Sequence, residues 1–146
     1  MRDQIRRALD FAIAKEREAQ DFYLEWAKKA QSPAIATLFA ELAEAERGHE
    51  TMLRSISVDQ LLSETEPVAD LGLSGILVEA PPSPGMTLQQ ALVLAMKREE
   101  TSVALYERLA TFGGPAAEIF KALAGEEKRH KLRLESDYEA TILAEN

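Results

Sequence analysis

Two stretches of this 146-residue sequence carry the same pair of side chains at the same spacing: Glu46-x-x-His49 and Glu127-x-x-His130. Residues three apart on a helix stand one above the other, so each glutamate and its histidine can reach a single point. These are the chain's 2 histidines, and each motif is preceded along the chain by a glutamate of the same character, Glu16 before the first and Glu99 before the second. Carboxylate oxygens and imidazole nitrogens in this mixture are ligands for divalent metals.

Placement turns these residue types into a site. In the first helical segment the stripe Ile5, Leu9, Ala12, Glu16, Ala19, Tyr23, Trp26 puts Glu16 among apolar residues, and the stripe Leu88, Leu92, Ala95, Glu99, Ser102, Tyr106, Leu109 does the same for Glu99. The runs Ile35, Phe39, Leu42, Glu46, His49, Leu53 and Phe120, Leu123, Glu127, His130, Leu134 turn both Glu-x-x-His pairs inward. A lone Glu-x-x-His is ordinarily a solvated pair, but here two stand in register, each matched by a core-facing glutamate. A buried ionised carboxylate costs several kcal/mol, and four together repel one another, so something positive must offset them. Two divalent ions carry the required charge, and one Glu from each of two helices plus Glu-x-x-His from each of two others is the ligand set of carboxylate-bridged dimetal bundles.

Other polar residues divide by facing. Tyr23 and Tyr106 lie on inner stripes, either as core residues or as hydrogen-bond partners of the ligands. Glu18, Glu44, Glu50, Glu100 and Glu126 fall off the stripes and are expected on solvated faces, whereas Trp26 and the methionines are expected to pack.

The elements that must position these groups are helical throughout. Helical periodicity covers about residues 2–30 and, after Ser32-Pro33 as N-cap and first-turn proline, about 33–55, with Leu38 and Met52 also expected on the inner side. Prolines and glycines interrupt the pattern over about 56–87. Within that connection Ser57-Val58-Asp59-Gln60 can open a short helix, and Leu71, Leu73, Ile76 and Leu77 can pack on the main body. Thr87-Leu88-Gln89-Gln90 reads as a capping box for a helix over about 88–112, and Gly113-Gly114-Pro115 ends it and starts the last, over about 115–143. The expected fold is all-α: a single domain over 1–146 in which two helical hairpins, joined by one long crossover, form a four-helix bundle. The halves also resemble each other, since a tyrosine follows Glu16 and Glu99 by the same interval and Leu42–His49 answers Leu123–His130.

Composition narrows the function. A net charge of -8 offers no basic face for a nucleic-acid backbone. With no cysteine, disulfides, iron-sulfur ligation and thiol nucleophiles are excluded. No run is long and apolar enough to span a bilayer, and the charged start Met1-Arg-Asp-Gln-Ile-Arg-Arg lacks the apolar core of a secretory signal, so the expected compartment is the cytoplasm.

Taken as a set, Glu16–Tyr23, Leu42–His49, Ile76–Thr87, Ala95–Tyr106 and Leu123–His130 resemble the rubrerythrin-type branch of the ferritin-like superfamily across nearly the whole chain. The resemblance implies that Glu46 and Glu127 bridge two iron ions, with Glu16 and His49 completing one coordination sphere and Glu99 and His130 the other. It further implies that O₂ or H₂O₂ binds between the ions and is reduced there, that manganese is a possible substitute for iron, and that the chain forms a homodimer. Two departures matter. With no cysteine the chain has no rubredoxin-type iron site, so electrons are expected from a separate donor protein, and Ser102 stands where rubrerythrins offer an additional glutamate. A peroxide- or dioxygen-reducing diiron oxidoreductase is therefore expected first, an iron-binding ferroxidase second, and a metal-free helical interaction module third.

Overall fold

The computed structural model describes residues 2–64, 72–77 and 81–143. Five helices follow one another along the described chain: α1 (Arg2–Lys29), α2 (Pro33–Arg54), α3 (Val58–Glu64), α4 (Leu88–Ala110) and α5 (Pro115–Thr141). Among the described residues there is no strand, and no helix is long and apolar enough to cross a membrane.

The ends of the helices follow local chemistry. Ser32 caps α2 by accepting a hydrogen bond from the Ile35 N–H, with Pro33 in the first turn, where its missing N–H is no loss. Thr87 and Gln90 form a reciprocal capping box at the start of α4. Between α4 and α5 the chain turns through Gly113 at φ 79° and Gly114 at φ 76°, a left-handed region that side chains disfavour, and Pro115 begins α5. Ser57 accepts from the Gln60 N–H and opens α3.

α1 packs along α2 and α4 along α5, making two hairpins, and of the helices in different hairpins α2 and α5 approach most closely. The apolar core is split. One cluster gathers Ile5, Leu9, Leu53, Leu105, Leu109 and Phe120 beneath Val58 and Leu61 of α3 and Leu73 of the crossover. The other gathers Phe22, Trp26, Leu38, Phe39, Leu92 and Leu134. Ile76 and Leu77 pack partly on the first cluster, while Leu71 lies outside the described residues. Met52 corrects the inner-side expectation: at 38% exposure it faces outward, because it precedes the buried Leu53 and one helical step turns a side chain about 100°.

Candidate dimetal centre

Between the two apolar clusters lies a layer of buried acid and imidazole. Glu16 comes from α1, Glu46 and His49 from α2, Glu99 from α4, and Glu127 and His130 from α5. All four carboxylates and His49 are buried, Glu127 completely, while the side chain of His130 is 13% exposed. The ligand-type atoms fall into two overlapping groups, each spanning no more than 4.8 Å: Glu16, Glu46, His49 and Glu127 in one, and Glu46, Glu99, Glu127 and His130 in the other. Glu46 and Glu127 belong to both.

The distances have the same pseudo-symmetry. His49 Nδ1 lies 2.9 Å from Glu127 Oε1 and 3.6 Å from both Glu16 and Glu46. His130 Nδ1 lies 3.0 Å from Glu46 Oε1, 3.3 Å from Glu127 and 3.7 Å from Glu99. The two imidazoles stack at 5.7 Å with their planes 11° apart. Tyr23 of α1 donates to Glu99 Oε1 on α4 at 2.8 Å, and Tyr106 of α4 donates to Glu16 Oε1 on α1 at 2.6 Å. Each phenol thus orients the carboxylate supplied by the opposite hairpin.

These groups do not satisfy one another. Glu16 Oε2, Glu46 Oε1, Glu99 Oε2, both Glu127 oxygens and the Nδ1 atoms of both histidines are buried without a hydrogen-bond partner. Buried polar atoms are normally paired, and orphans concentrated at one point mark a place for something absent. Acceptor-only oxygens and the inward nitrogens suit a cation, which makes the donor set a fit for metal.

The sequence profile of the rubrerythrin family matches residues 7–138. The chain belongs to the rubrerythrin family. A solved structure of a protein described as ferritin-like and diiron-carboxylate, from Thermotoga maritima, is similar to this rubrerythrin-family chain at a TM-score of 0.67 and 26% identity, covering 92% of this chain and 93% of that one. No curated protein matches the sequence.

In this rubrerythrin-family bundle the metal-free site is electrostatically frustrated. Burial, together with the charge of Glu99 and other neighbouring carboxylates, pushes Glu46 and Glu127 well above the usual carboxylate range. For Glu16 burial acts in the same direction, but the close approach of Glu46 and of the His49 imidazole, with the hydrogen bond from Tyr106, outweighs it and the net shift is downward. Burial disfavours the imidazolium of His130, yet Glu46 and Glu99 overcome it and raise its pKa to about 9, and His49 is raised by Glu16 and Glu126 in the same way. Burial and the nearby carboxylates push both tyrosines well above their ordinary value, so each phenol keeps its proton for donation.

Glu50 corrects the expectation of a solvated face, while Glu126, its side chain 45% exposed, keeps that face and also reaches across to a neighbouring helix. Glu126 Oε2 pairs with the Nε2 of His49, across the α2–α5 contact. Glu50 accepts from Gln20 Nε2 at 2.7 Å and from Arg54 Nε at 2.8 Å, and Gln20 also donates to the Glu16 carbonyl. Glu50 sits one position beside the inward His49, where a neighbouring helix rather than water meets the side chain. Gln20, four residues after Glu16 and so on its face, was the sequence signal for the second network. Glu18, Glu44 and Glu100 are exposed, as expected.

A cleft between α1 and α4 reaches the site. Its walls include Phe11, Ala12, Ala19, Ala95 and Ser102, and both tyrosines, Glu46, Glu99 and Glu127 also border it. Lys15 and Arg98 line it as well, each charge 5.3 Å from a ring centroid, over Phe11 and Phe22 respectively.

Proposed function

We propose that this protein binds two divalent metal ions, iron by preference, and reduces hydrogen peroxide or dioxygen at them. The observation that carries the reading is the pair of overlapping buried clusters sharing Glu46 and Glu127, with seven unpartnered ligand-type atoms between them. Glu16 and His49 would hold one ion, Glu99 and His130 the other, and Glu46 and Glu127 would bridge. Two bound ferrous ions would supply the electron pair that, with two protons, converts H₂O₂ into two waters.

The chain's own residues set the conditions for this chemistry. Tyr23 and Tyr106 fix one oxygen of Glu99 and of Glu16, leaving the other oxygen of each to face the centre. The two apolar clusters exclude bulk water from both ends, and the α1–α4 cleft gives a small oxidant its way in. With no cysteine in the chain, reducing equivalents would come from a separate donor protein. A homodimer through a bundle face completes the proposal.

Ferroxidase chemistry in iron handling is the second reading. Ser102 favours it, since the cleft presents a hydroxyl where a further carboxylate would complete a peroxidase-like set. Anaerobic reduction of iron-loaded protein, followed by mixing with H₂O₂ or O₂ while the iron absorption is recorded, separates the two. Faster reoxidation by peroxide supports the oxidoreductase, and a preference for O₂ supports the ferroxidase.

A further inference from the structure

The pseudo-symmetry of the site breaks at its outer edge. His49 is gripped on both sides: its Nδ1 faces the cluster and its Nε2–H donates to Glu126. The contacts of His130 run through Nδ1, its side chain is 13% exposed against 2% for His49, and among the described residues no carboxylate stands against its Nε2. The duplication explains the difference. Aligning Glu127 with Glu46 and His130 with His49 sets Glu126 opposite Ala45, whose methyl group cannot accept a hydrogen bond.

A second bracing element is equally one-sided. Gln20 ties α1 to α2 by donating to Glu50, the residue next to His49, and also donates to the Glu16 carbonyl of its own helix. Aligning Tyr106 with Tyr23 places Val103 at the position of Gln20, and the histidine register places Lys131 at that of Glu50. A valine makes no such bond, and Lys131 instead pairs outward with Glu135 and Glu100.

We infer that the two halves hold metal unequally: the half built on Glu16 and His49 is the tight one that fills first, and the half built on Glu99 and His130 is the exchangeable one. This rests on the dimetal reading. A carboxylate on the far nitrogen of a histidine ligand fixes its tautomer and ring orientation and makes the near nitrogen a stronger donor, an effect of ~10- to 100-fold in metal affinity. Glu126 is a positioning residue in this sense.

Anaerobic cobalt(II) titration against a competing chelator tests it, with the fold checked by circular dichroism. Isolating the halves avoids confusion with repulsion between two bound ions: His130→Ala should retain one tight ion and His49→Ala one weak ion, their Kd values differing by ~10- to 100-fold. Adding Glu126→Ala to His130→Ala should remove most of that difference, the rest belonging to the Gln20–Glu50 tie, and Ala45→Glu in the His49→Ala background should tighten the weak ion. Equal affinity in the two single-histidine variants, or a difference that loss of Glu126 leaves unreduced, overturns the inference while leaving the dimetal centre intact. A folded wild-type protein that takes up no cobalt overturns the dimetal reading as well.

Discussion

Glu46 and Glu127 are the residues on which both halves of the proposed site would depend, since each belongs to both groups that could hold an ion. Replacing either with alanine should remove most of the bound metal, whereas Glu18→Ala, on an exposed face, should leave the content unchanged, as read by elemental analysis of folded protein. Tyr23→Phe and Tyr106→Phe each delete one hydrogen bond to a buried carboxylate. Both variants should still bind metal, with affinity or turnover lowered ~10- to 100-fold. At this scale the inward groups were legible because apolar stripes at helical spacing enclosed them. The Glu50–Gln20 pair and the reach of Glu126 to His49 were not legible, because periodicity reports an angle around one helix. It does not report whether water or a neighbouring helix lies at that angle.

The helices owe their limits to a few local bonds, and these can be cut without touching the site. Thr87→Ala removes the capping box of α4 and should lower the stability of the metal-free protein by about 1 kcal/mol in urea denaturation, with metal stoichiometry unchanged. Ser102 lines the α1–α4 cleft. Ser102→Phe should therefore slow reoxidation by either oxidant in stopped-flow absorption while the iron content stays at the wild-type value. Helix ends were readable from Ser32-Pro33, Thr87–Gln90 and Gly113-Gly114-Pro115 because capping uses side chains adjacent in sequence. Within the crossover, the packing of Leu73 followed from its apolarity. The cleft was not readable, since the gap between α1 and α4 depends on how two hairpins meet.

Across the whole molecule, two apolar clusters stabilise a polar layer that the metal-free chain cannot satisfy by itself. The consequence is a pH dependence. His49 and His130 are raised above the ordinary imidazole value, His130 to about 9, and Glu46 and Glu127 are raised above the ordinary carboxylate value. A group whose folded pKa is raised binds protons more readily in the folded state, so its contribution is present below the unfolded pKa and lost as pH rises through the folded one. The melting temperature of metal-free protein should accordingly fall between about pH 6.5 and about pH 9, the window set by His130. Glu16, shifted downward, acts in the opposite sense, but only at acid pH. Metal binding needs these ligands deprotonated, so affinity should rise over the window in which metal-free stability falls. The hairpin-crossover-hairpin order was legible from the breaks in periodicity, whereas the division of the core into two clusters required the third dimension.

The most direct test of the central claim is the number of metal ions bound per folded chain after expression in iron-supplemented medium. Two per chain is the expected result, falling sharply in Glu46→Ala and Glu127→Ala. A well-folded helical bundle with no stoichiometric metal would contradict it and leave a metal-free interaction module as the reading of the fold.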